Sequence, residues 1–183
     1  MDIYKALGPI SIVQLWLCLL FMIRRWPGNK SMTYSAHAAA TRSGIVYYLF
    51  IFTLHMVLFY LFAINWFVPT FGLPWIFAVI LLVAMLGQFI ALLVPSTGGR
   101  KSTIHEFTAY FMHTLLLPLC LFIVFTGSFS TFARAYALVA SVAMLVMWYL
   151  FATAKDSGNR NIVLQTVYGL SFHTAILVAM YVV

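Results

Sequence analysis

The segment PWIFAVILLVAMLGQFIALLV, Pro74–Val94, runs 21 residues without a charge, and Gln88 is its one strongly polar side chain. At about 1.5 Å per residue a helix of that length spans about 30 Å, the thickness of a bilayer's hydrocarbon core. A membrane-crossing strand would instead alternate polarity over about ten residues. Five further runs of the same kind lie on either side of it. The expected spans are about 6–23, 44–68, 74–94, 105–125, 132–152 and 161–183. Composition agrees: of 183 residues 64% are hydrophobic, 17% aromatic and only 7% charged, with a mean hydropathy of +1.04. A soluble domain is roughly half apolar and about a quarter charged. Ten Lys+Arg and three Asp+Glu are too few to solvate a globule of this size. A soluble enzyme, a disordered chain and a disulfide-rich secreted module are excluded. The fold class is an all-α, polytopic bundle of six transmembrane helices, one domain over 1–183, with the lipid bilayer as its partner.

The breaks between runs carry turn chemistry. Pro27-Gly28-Asn29, the stretch from Pro69 through Gly72 to Pro74, Pro95 to Gly99, Gly127 to Ser130 and Asp156 to Asn159 all punctuate the pattern. Ser31–Ser43, Ala-rich and polar, reads either as a short interfacial helix or as an extension of the second span. Pro118, inside the fourth span, is expected to kink it.

Charge sets the orientation. With side B defined as the side reached after the first helix, it collects Arg24, Arg25, Lys30, Arg42, Arg100, Lys101, Lys155 and Arg160. Side A holds Lys5 and Arg134. Cytoplasmic loops are enriched in Lys and Arg, so side B is expected to be cytoplasmic and both termini non-cytoplasmic, in an inner or plasma membrane. The Asn29-Lys-Ser31 glycosylation pattern then falls on the wrong side and reads as chance. The net charge of +7 belongs to this bias and not to nucleic-acid binding, because no basic stripe with interleaved aromatics lies in a polar segment. The first run lacks a basic n-region and a cleavage motif, and reads as a retained helix. Cys18 and Cys120 stand in apolar runs without metal-ligand spacing and read as small buried hydrophobes. Trp16, Trp26, Trp66, Trp75 and Trp148 read as interface anchors.

Polar side chains inside spans are expensive, which makes the histidines the candidate site. His55, His113 and His173 lie on the second, fourth and sixth helices, which run in the same direction. Their distances from the side-B end are about 16, 12 and 18 Å, close to one level near the midplane. Two readings follow. Each ring bonds separately between helices, or the three share a site for a ligand, a metal or haem b. Depth does not fix which way a ring faces.

Glu106, Tyr110 and His113, at i, i+4 and i+7, share one helix face and form the best candidate for a proton relay. Thr103-x-x-Glu106 also matches a capping box, in which Glu106 reaches back to the Thr103 N–H. Thr166 shares a face with His173, and Gly169 leaves room beside them for a neighbouring helix. Gln14, Gln88, Asn65 and Gln165 read as interhelical hydrogen-bond partners. His37 and His105, near side B, read as solvated histidines and as cytoplasmic-side candidates. No G-x-S-x-G or H-E-x-x-H motif is present. Two midplane histidines suffice for haem b and leave one over.

Lys30-Ser-Met-Thr-Tyr-Ser35 in the first loop and Leu93-Val-Pro95-Ser-Thr-Gly98, followed by Ile104-His105 opening the fourth helix, resemble a bacterial and archaeal six-helix membrane family, domain of unknown function 998. The resemblance implies a six-helix bundle and no assigned activity. The residues themselves favour binding or passage of a small or lipid-like ligand in an intramembrane cavity lined by His55, His113 and His173. The alternatives are a haem b or metal-binding redox protein or enzyme, and a structural subunit of a homo-oligomer or membrane complex.

Overall fold

The computed structural model describes residues 3–26, 32–94, 99–153 and 161–182, with residues 99, 100 and 102 described by backbone alone. Asp2, Pro27 to Ser31 with the glycosylation pattern and Lys30, Pro95 to Gly98, Lys155, Asp156, Arg160 and the Arg100 side chain lie outside it. Helices α1 (Ile3–Arg25), α2 (Tyr34–Ala39), α3 (Arg42–Phe62), α4 (Val68–Phe71), α5 (Ile76–Leu93), α6 (Gly99–Phe125), α7 (Thr131–Thr153) and α8 (Asn161–Tyr181) follow in order, with a π-helical turn at Ala63–Phe67 joining α3 to α4. Among the described residues there is no strand. Six helices are long and apolar enough to cross a membrane, with α3, the π turn and α4 forming one span of 30 residues. The chain is a polytopic membrane helix bundle.

Polar contacts fix how the helices alternate in direction. The Tyr47 hydroxyl early in α3 donates to Cys18 O late in α1 at 3.2 Å. Arg134 Nε at the start of α7 donates to Val124 O at the end of α6 at 2.8 Å, and Ser130 Oγ donates to Val182 O, just beyond α8, at 2.7 Å. The outer surface is apolar, with Phe50, Phe107, Phe125 and Val139 all more than half exposed, as lipid-facing side chains should be. Inside, Ala133, Ala137 and Ala140 of α7 and Ala175 and Ala179 of α8 are buried, and small residues let backbones approach closely. Toward side A the bundle centre is filled by Phe62, Phe67, Phe71, Phe77 and Phe129, which stack at centroid distances of 4.4 to 5.9 Å. Lys5 Nζ lies 5.1 Å from the Trp66 ring and 5.5 Å from that of Tyr181, tying three spans together at that end.

Two boundaries differ from the sequence reading, the end of the second span and the start of the fourth. The second span does not stop at Val68 but passes through Pro69 to Phe71. The Val68 N–H reaches back five residues to Ala63 O. This wider turn carries the chain across the proline, which has no N–H to continue the ordinary ladder. Asn65 Nδ2 donates to Leu61 O at 2.9 Å, so this side chain serves its own helix and not a neighbour. Gly72, at φ 61°, then ends the span in the left-handed conformation that glycine adopts without strain. The fourth helix begins at Gly99, which makes Thr103 its fifth residue and its N–H part of the helical ladder. The capping box with Glu106 is therefore not formed.

Ser31–Ser43 contains a separate short helix, α2, with its own N-cap: Thr33 Oγ1 accepts from Ala36 N at 3.1 Å. Thr41 Oγ1 accepts from Gly44 N at 3.0 Å and starts α3. The two helices pack so closely here that a Cβ on Gly44 would lie 2.5 Å from Ala38 O. Gly44→Ala is expected to destabilise the protein in detergent by about 1–3 kcal/mol, the typical penalty for overpacking. Gly127→Ala, which would meet nothing within 4 Å, is expected to stay within about 0.5 kcal/mol. Thermal or chemical unfolding of the two variants checks this, and equal melting would remove the role given to the α2–α3 contact.

Candidate functional site

A polar atom in hydrocarbon must find a partner inside the protein, and each buried histidine here meets that demand in its own way. His55 of α3 places Nδ1 3.1 Å from Ser11 O of α1. His173 of α8 places Nδ1 3.0 Å from the indole Nε1 of Trp16, also on α1. The two imidazoles meet edge to face with centroids 5.1 Å apart, and Phe59 lies 5.5 Å from one and 5.9 Å from the other. Both residues are buried. Trp16 reaches His173 because α8 carries Gly169 at the crossing, where a Cβ would lie 3.1 Å from the indole. Trp16 is therefore a half-buried link between α1 and α8 and not an interface anchor.

His113 stands apart from this pair. Its Nδ1 bonds Ala109 O one turn back at 2.6 Å, and its ring packs on Tyr168 at 4.7 Å. The Tyr168 hydroxyl donates to the His113 carbonyl. All three rings nevertheless line one cavity of about 140 Å³, whose walls come from α1, α3, α5, α6 and α8. Leu81, Ala84, Met85 and Phe172 supply apolar wall, and Gln88, Tyr48 and Gln165 supply polar groups. On its other side His113 borders a second, wholly apolar space of about 150 Å³ against Met144 and Trp148.

The side-B end of the cavity is roofed by α2. Tyr34 N donates to Gln165 Oε1 at 3.1 Å. The Tyr34 hydroxyl lies 2.5 Å from Thr166 Oγ1, which itself donates to Ile162 O at 2.6 Å and so accepts from the phenol. His105 completes the roof. Its Nδ1–H is shared between Ala91 O and Val94 O at 2.8 and 2.9 Å, and its Nε2 accepts from Ser35 Oγ at 3.0 Å. One imidazole thus caps the end of α5, anchors the start of α6 and holds α2. His37 and His105 are both buried, which corrects their reading as solvated histidines. They lie under or within a helical cap that one-dimensional hydropathy cannot place.

The relay stripe is not assembled in the cavity. Glu106 is exposed, and Tyr110 turns toward α7, donating to Phe151 O at 3.3 Å. Thr166 serves the roof. Among the described residues no three of His, Cys, Asp and Glu converge to hold a metal ion. His55 and His173 lie in mutual contact and do not face each other across a gap wide enough for a porphyrin. Sequence reasoning missed Trp16, Tyr34, Ser35 and Tyr168 as site residues. An indole N–H well inside an apolar run, as at Trp16, was the available signal, because it needs an acceptor there. Comparison with known protein families, curated proteins and solved structures returns no match, so the site is read from its own residues.

Burial holds the Tyr34 phenol above its ordinary value of 10.0. A group whose value is raised in the folded state gives its full stabilisation below the unfolded value and loses it as pH rises through the folded one. Thermal stability is therefore expected to fall from about pH 10 upward, with part of that fall absent in Tyr34→Phe. Parallel pH–melting curves for the two proteins would place the Tyr34 hydroxyl in water.

Proposed function

We propose that this membrane protein binds a small, largely apolar ligand in the cavity whose inner wall is the His55–His173 pair. The observation that carries the reading is a space of about 140 Å³ set against two buried imidazoles at mid-span. An apolar cavity of comparable size, roughly 150 Å³, accommodates benzene. Apolar wall gives such a ligand affinity, and the few polar groups give it orientation. Binding is favoured over passage, because Phe62 and Phe67, both fully buried, occupy the bundle centre between the cavity and side A. A redox or metal centre gains no support from the arrangement of the rings.

The bundle end that carries α2 is proposed to face the cytoplasm. Arg24, Arg25, Arg42 and Lys101 of the described residues belong to that end, and Lys5 and Arg134 to the other. The ligand is then shielded from the cytoplasmic side by the α2 roof.

Titration with toluene and phenol, followed by thermal unfolding in detergent, tests the reading. A saturable stabilisation of about 2.7 kcal/mol is expected at a hundredfold excess over Kd. Ala84→Phe, which fills the cavity from α5, is expected to abolish it while the protein remains folded. If neither compound gives a stabilisation that Ala84→Phe removes, the cavity is not a binding site.

A further inference from the structure

The scaffold decides which nitrogen of each ring carries the proton. A carbonyl can only accept, so His55 Nδ1 must bear the hydrogen that bonds Ser11 O. An indole N–H can only donate, so His173 Nδ1 must be the bare nitrogen that accepts from Trp16. Among the described residues no carboxylate lines the cavity to balance an imidazolium: Glu106 is exposed. Both rings are therefore neutral, and the free nitrogens are complementary. His55 Nε2 is a lone-pair acceptor, and His173 Nε2–H is a donor. Neither Nε2 has a hydrogen-bond partner among the described residues, though both side chains are more than nine-tenths buried and line the cavity. By the same logic His113, with Nδ1–H spent on Ala109 O, presents a bare Nε2.

We propose that the His55–His173 pair recognises a neutral hydroxyl group on a small lipophilic alcohol or phenol. The hydroxyl proton is donated to His55 Nε2, and the hydroxyl oxygen accepts from His173 Nε2–H. The carbon body lies against Phe59, Phe172, Leu81 and Ala84. A hydroxyl is the smallest group that donates and accepts at one atom, which suits two rings whose centroids are 5.1 Å apart. Charged ligands are rejected, since among the described residues no Lys, Arg, Asp or Glu lines the space to compensate them. Trp16 is a positioning residue that fixes the His173 tautomer without touching the ligand's hydroxyl. The inference rests on the binding reading above and specifies its chemistry.

The test has two arms. In the first, ¹⁵N-histidine-labelled protein in detergent is read by nitrogen shifts and couplings. His173 is expected as the Nε2–H tautomer and His55 as Nδ1–H, and Trp16→Phe is expected to release His173 into a mixture. In the second, phenol, anisole and toluene are compared as probes. Phenol is expected to bind about tenfold tighter than anisole, which lacks the donated proton and leaves His55 Nε2 unpaired. His55→Phe is expected to erase that preference, and Trp16→Phe to reduce it. Anisole binding within twofold of phenol overturns the hydroxyl assignment and leaves the cavity reading standing, with water as the pair's natural partner. Loss of all Ala84→Phe-sensitive binding overturns both. Should His55→Phe fail to fold, the wild-type tautomers decide, because the opposite assignment at either ring removes the donor–acceptor pair.

Discussion

An imidazole placed in hydrocarbon has two nitrogens to satisfy and no water to help. That constraint organises the middle of this protein. Four of the five histidines line one cavity, and each spends its Nδ1 on the scaffold: His55 on Ser11 O, His105 on the end of α5, His113 on Ala109 O and His173 on Trp16. Where Nε2 is also spent, as on Ser35 by His105, the ring is a structural clamp. Where it is not, the ring lines the cavity with that nitrogen unspent, as His55 and His173 do. The proposed binding role therefore turns on the second nitrogen.

The rest of the bundle keeps that space in being. Stacked phenylalanines close the centre toward side A, and α2 closes the other end through Tyr34, Ser35 and His105. The small residues of α7 and α8 pack tightly, whereas α1, α3, α5, α6 and α8 leave the cavity between them. Trp16 packs over Gly169 at the cavity wall and sets the His173 tautomer in the same contact. One side chain thus joins helix packing to the tautomer of a buried ring.

Much of this was legible before any coordinates. Run length gave the helices and their number, because an apolar segment of about 20 residues has few stable alternatives in lipid. The shared depth of His55 and His173 followed from counting rise per residue. Their edge contact did not, since azimuth depends on how whole helices rotate against one another. Pro69 looked like a terminator because proline ordinarily is one, and the π turn that carries the span past it is a backbone adjustment that residue type does not encode. Glu106 matched a capping box until α6 proved to start four residues before Thr103. His37 and His105 looked solvated because polar loops usually are, and α2 folding back over the bundle buried them.

Residue order alone settled that the chain crosses a membrane as helices, which segments cross, and that costly imidazoles sit at mid-span, because these depend on local hydrophobicity and a fixed helical rise. Packing alone decided which histidines meet, which nitrogen each leaves open and what roofs the space between them. Those outcomes arise from contacts such as Trp16 with His173 and Tyr34 with Thr166, more than a hundred residues apart, where close approach of small residues and hydrogen-bond direction, not local propensity, select the arrangement.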